Sequence, residues 1–192
     1  NDSLNGYVVA GGTRSFNNGD SQGWEMNVDE NGYLKWEKTY GDNGEDGFNM
    51  ITQSKDNNFM AVGYSESFFS KGMKDALMVK IDSSGNKMWM NLFGGKSDDI
   101  ANSVFECKDG GFAVAGETAS FGNGKKDILI LKTNSNGVQK WKSTIGGKGV
   151  DIGRSIEELP KGGFIVSGTS TISNLSFDSI LIKTDKKGKT SN

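Results

Sequence analysis

The chain has 192 residues, 34% of them hydrophobic, with 28 Gly, one Pro, one Cys and no His. With 22 basic and 24 acidic residues interspersed at a net charge of −2, it has neither the basic footprint of a nucleic-acid binder nor the composition of a disordered tract. It lacks an apolar run of the length that spans a bilayer as a helix, and with no histidine it lacks the commonest general base and zinc ligand.

Strands are expected in chain order near residues 7–12, 24–29 and 34–40, then 47–54, 59–65, 75–81 and 87–93. They continue at 99–107, 112–118, 127–133 and 138–145, and at 151–159, 164–170 and 178–184, with almost no helix. The third group is the clearest. DIANSVFECK ends in the turn Asp109-Gly110-Gly111, FAVAGET follows, DILILKT is apolar on both faces, and VQKWKSTI alternates after the hairpin turn Asn134-Ser135-Asn136-Gly137. Four short strands joined by short loops make an antiparallel meander.

The meander recurs. Gly11, Gly63, Gly116 and Gly168 are 52, 53 and 52 residues apart, and Trp36, Trp89 and Trp141 are 53 and 52 apart. Such a period marks a repeat architecture. The modules fall at about 1–45, 46–97, 98–149 and 150–192, the first and last being partial. The third strand of each module, as in Ile128-Leu129-Ile130-Leu131, has no polar alternation and so needs cover on both faces. Radial stacking of four-stranded sheets supplies that cover, so the expected fold is an all-β propeller of roughly 52-residue antiparallel blades. A β-solenoid is the alternative, and a sandwich with accidental self-similarity fits the spacing less well.

These residues resemble the bacterial seven-bladed β-propeller (SBBP-type) repeat. The matching positions are Gly146-Gly147 with Asp151, Gly162-Gly163-Phe164 with Gly168, and Asp127 with Lys132, Asn134, Gly137 and Trp141; the second module has Asp75, Lys80, Asp82, Gly85 and Trp89. The resemblance covers essentially the whole chain. It implies a bacterial or archaeal surface or secreted location and no known catalysis. The first module departs from the pattern, with Gly23 taken at the Asp position and Asn27 at the Lys position.

Candidate sites follow from recurrence. Asp46, Asp99 and Asp151 open the first strand of a module, where a ring of carboxylates would hold calcium; the competing role is capping of the adjacent turn. Trp36, Trp89 and Trp141, with Asp75, Asp127 and Asp178, would make repeated sugar-binding positions between blades, against a role in blade packing. Strand parity sets Asp75 and Lys80 on opposite faces, so each requires a partner elsewhere. Cys107 lies in a strand-like run and is expected to be buried. The leading expectation is a non-catalytic surface or secreted module that binds a protein partner or serves structurally. A lectin-like propeller is second, and an enzyme fragment with its catalytic groups elsewhere is third. Because the partial end modules would leave apolar faces and strand edges open, they are expected to meet further sequence or a second copy of the chain.

Overall fold

A computed structural model describes residues 6–16, 19–67, 73–173 and 176–190. Fourteen antiparallel strands form four sheets, and the described residues contain no helix, hence none able to cross a membrane. The first sheet is β1 (Tyr7–Thr13), β2 (Gln22–Val28) and β3 (Leu34–Tyr40). The second is β4 (Asp46–Gln53), β5 (Phe59–Ser65), β6 (Asp75–Ile81) and β7 (Lys87–Phe93). The third is β8 (Asp99–Glu106), β9 (Phe112–Thr118), β10 (Asp127–Thr133) and β11 (Gln139–Ile145). The fourth is β12 (Asp151–Glu158), β13 (Phe164–Ser173) and β14 (Ser176–Lys183). Each sheet keeps its strands in sequence order, the meander that the short turns impose.

Consecutive sheets pack face to face. Val8, Ala10 and Trp36 of the first sheet meet Phe48, Phe59, Leu77 and Val79 of the second. Met60, Val62 and Met78 of the second meet Ala101, Val104, Phe112 and Leu129 of the third. Ala113, Ile128 and Ile130 of the third meet Ile156, Phe164 and Val166 of the fourth. Strands β6, β9 and β10 are therefore buried along their whole length. The expectation of burial on both faces fails in the end sheets, where Tyr7, Val9, Phe177 and Leu181 are exposed because no sheet lies over them.

The recurring glycine has a steric cause. A Cβ on Gly63, Gly116 or Gly168 would run into the carbonyl oxygen of Gly47, Ile100 or Ile152 on the neighbouring first strand of its sheet. That strand bulges opposite the glycine, with register shifts between Phe48 and Met50, Ala101 and Ser103, and Gly153 and Ser155. Gly11 has open space at the same place, since its sheet has no such strand among the described residues.

The bulged residue joins neighbouring sheets. Asn49 Nδ2 donates to the carbonyl of Ala101 at 3.0 Å, and Asn102 Nδ2 donates to that of Gly153 at 2.9 Å. On the opposite rim, the Lys55 and Lys108 amides donate to Glu106 and Glu158 of the following sheet, each at 2.7 Å.

Candidate functional site: a lysine-rich cleft between the third and fourth sheets

The recurrent aspartates at the strand starts serve the turns beside them. Asp46, Asp99 and Asp151 are buried. Asp99 Oδ2 accepts the Gly95 amide at 2.8 Å and the Ser120 hydroxyl at 2.6 Å, and Asp151 accepts the Gly147 amide at 2.8 Å and the Ser170 hydroxyl. Asp46 accepts the Ser67 hydroxyl at 2.6 Å. Before β8 and β12 the double glycine thus brings an amide within reach of a carboxylate four residues on, and a hydroxyl from the second strand or just beyond it completes the cap. The described residues contain no group of three or more potential metal ligands of the His, Cys, Asp or Glu type.

Asp75 and Asp127 are also buried, and Asp178 is exposed on the open last sheet. Asp127 accepts the Asn123 and Gly124 amides at 3.0 Å each. The register corrects one sequence equivalence. Ser65 faces Asp75, Thr118 faces Asp127 and Thr13 faces Gln22, so Gln22 rather than Gly23 holds the Asp position in the first sheet. The one-residue slip arises because the loop before Asp75 is one residue longer than the corresponding loops before Gln22 and Asp127.

The strand lysines find their partners inside their own sheets, in the turn between the first and second strands. Lys80 pairs with Asp56 at 2.5 Å and Lys132 with Asp109 at 2.9 Å. Lys140 reaches the other oxygen of Asp109 at 2.9 Å. Burial pulls the Asp109 carboxyl upward, but hydrogen bonds from Lys132, Lys140 and the Gly111 amide outweigh it and hold the group well below the usual carboxylate range.

The indoles bridge neighbouring sheets and stay half-buried. Trp89 stands edge-on to Phe112 at 6.3 Å and Trp141 edge-on to Phe164 at 5.7 Å. Trp36, Trp89 and Trp141 each lie against the hairpin glycine of the next sheet, Gly85, Gly137 and Gly188. Those glycines have φ of 78°, 75° and 74°, which the turn demands, and their missing Cβ makes room for the ring. Packing therefore accounts for one side of each indole, leaving part of Trp141 to line a cleft.

That cleft, of about 420 Å³, lies between the third and fourth sheets, lined by Lys108, Asp109, Lys132, Lys140, Trp141, Glu158, Lys161 and Lys186 among others. Five lysines face two carboxylates, whereas the matching positions between the second and third sheets hold three lysines and three carboxylates. The turn hydrogen bonds set the equivalences. Leu159–Gly163 matches Cys107–Gly111, so Lys161 replaces Asp109; Asp185–Lys189 matches Asn134–Val138, so Lys186 replaces Ser135. Lys140, next to Trp141, likewise replaces Met88. With Lys161 at the acceptor position, Lys183 loses the ion pair that Lys80 and Lys132 make. The side chains of Lys161, Lys183 and Lys186 have no ion-pair or hydrogen-bond partner among the described residues. The signal was present in the repeat alignment, as a Lys where the other modules carry Asp, but only the turn register revealed it.

No family model and no curated protein matches this chain. Among solved structures it is similar to a protein of unknown function from Bacteroides caccae, with a TM-score of 0.54 and 16% identity. The match covers 97% of this chain and 57% of that one, so the chain spans little more than half the length of that structure. At this identity the likeness concerns the fold alone, and it places the four stacked sheets within a fold already seen in a longer bacterial chain.

Proposed function

We propose that the four sheets are consecutive blades of a β-propeller of the SBBP type, and that the chain is a non-catalytic surface or secreted module with a structural or protein-binding role. The observation that supports this reading is where the recurrent polar residues are used. Asp99, Asp127 and Asp151 accept hydrogen bonds from their own turns, and Lys80 and Lys132 are held by turn carboxylates. Residues so engaged build the module, and the serine hydroxyls on Asp46, Asp99 and Asp151 recur with the repeat as part of it. A broad hydrolase and esterase screen tests this. Turnover that vanishes on replacing one named residue would overturn it.

A second reading, glycan binding, is favoured by Trp141, which lines a cleft together with hydrogen-bonding groups. Binding on a glycan array that is lost on Trp141→Phe supports it, and an empty array removes it. The open end faces are proposed to be covered by a second copy of the chain. Tyr7, Val9, Trp24 and Met26 hold, by register, the positions at which the second sheet buries Phe59, Ala61, Leu77 and Val79. Leu181 holds that of the buried Met78 and Ile130. The first-sheet face is thus shaped like one that docks on a preceding sheet, and the last-sheet face like one that receives a following sheet.

A further inference from the structure

We infer that Lys161, Lys183 and Lys186 form a binding site for an acidic sugar residue, one bearing a carboxylate or sulfate, whose ring extends toward Trp141. This rests on the glycan-binding reading above and specifies its ligand. Lys161 stands in the turn between β12 and β13, Lys183 ends β14, and Lys186 lies in the turn after it. Lys183 and Lys186 line an adjoining cleft of about 530 Å³, which shares Gly162 and Lys186 with the cleft of Trp141. A Cβ on Gly162 would strike the Lys186 side chain, so this lysine lies directly over the glycine that joins the two clefts.

Asp185 lines the cleft of Lys183 and Lys186, and each nearby carboxylate is held by its own turn or by other lysines. Asp185 Oδ1 accepts the Lys187 and Lys189 amides at 2.8 and 2.9 Å. Asp109 is shared by Lys132 and Lys140, and Glu158 accepts the Lys108 amide. Lys161 and Lys186 line one cleft and Lys183 and Lys186 the adjoining one, where the second and third sheets place a Lys–Asp pair. The mutual repulsion of these lysines falls when an anion enters, which gives such a ligand a differential interaction that the repeat's ordinary ion pair does not offer. An indole beside an anion site suits an acidic saccharide better than a bare phosphate, because the ring has an apolar face to stack. The two clefts are of the size that holds one or two sugar residues.

The test uses the 192-residue chain, tetragalacturonate, the neutral galactotetraose and an oligoglutamate of similar charge, followed by calorimetry and Trp fluorescence. Tetragalacturonate is expected to bind at least about tenfold more tightly than the neutral tetraose, and to weaken as salt rises toward physiological strength. Lys161→Asp restores the ion pair to Lys183 without disturbing the core, and is expected to weaken binding at least about tenfold. Unchanged affinity in this variant would overturn the site. Equal binding of oligoglutamate would make it a site for acidic peptides and sink the sugar assignment. If the neutral tetraose binds as tightly as the acidic one, glycan binding stands and this inference falls; if no saccharide binds, both fall.

Discussion

Two buried residues show how position sets chemistry. Cys107 is 1% exposed, and burial is the main cause of its thiol being pushed up to about 11. Since the thiolate is the reactive species, the folded protein should resist a thiol reagent such as DTNB near neutral pH and react promptly once unfolded. Fast labelling of the native chain would contradict this burial. Glu25 is buried at the position where the second and third sheets carry Met78 and Ile130. Burial pushes its carboxyl up to about 7, against the opposing pull of the Tyr40 hydroxyl. The sign follows. A raised folded-state value favours the protonated form, so this group's stability is fully present below its unfolded value of about 4.5 and is lost as pH rises toward 7. Relative to Glu25→Gln, the wild-type chain should lose about 3 kcal/mol of stability between pH 4 and pH 8. Parallel stability curves for the two proteins would show that Glu25 does not titrate there. Asp56 and Asp109 act oppositely: their carboxyls are held low, so their contribution is present above the ordinary carboxylate range and fades in acid.

At the scale of the strand, the glycine in the second strand of the second, third and fourth sheets and the bulge facing it form one device. Gly116 leaves space for the Ile100 carbonyl, and the bulge there swings Asn102 toward the Gly153 carbonyl of the next sheet. Gly116→Ala should destabilise the chain by roughly 2–4 kcal/mol, because backbone rather than a movable side chain blocks the new methyl. Gly11→Ala should change stability by no more than about 0.5 kcal/mol, since a Cβ there meets nothing within 4 Å. Denaturant melts of the two variants give the comparison directly. Equal costs would mean that the glycine is retained for backbone freedom and not for the carbonyl it admits.

At the scale of the molecule, three inter-sheet cores lie between two unlike open faces. Tyr7 at 66% and Leu181 at 70% exposure sit at positions that interior sheets bury. Exposed apolar surface of this kind marks an interaction site or an aggregation hazard. Because one face is shaped as the front of a contact and the other as the back, pairing of two copies joins unlike faces and can close as a ring. Analytical ultracentrifugation is expected to give about twice the 20.7 kDa chain mass, and Val9→Asp with Leu181→Asp should halve it. A wild-type monomer that stays soluble at high concentration would exclude the pairing and leave further blades of the same kind as the cover.

Strand positions were legible from the sequence because the signal is periodic and local. The apolar run of Ile128–Leu131 requires cover on both sides, and Gly32, Gly85, Gly110 and Gly137 at positive φ mark where the chain turns back, with Asn57 in that role between β4 and β5. Recurrence also told that Trp89 and Trp141 belong to the module. Three things needed the tertiary structure. The partner of Lys80 is Asp56, 24 residues away and brought near only by the meander. The slip from Gly23 to Gln22 depends on which residues face one another across β1 and β2. The lysine cluster of the fourth sheet depends on the turns that align Lys161 with Asp109 and Lys186 with Ser135. Sequence by itself determined which residues form strands and how often the pattern repeats, since both depend on neighbours along the chain. Only the folded chain decided which charges meet, because ion pairs, caps and clefts join residues that sheet register brings together across tens of positions.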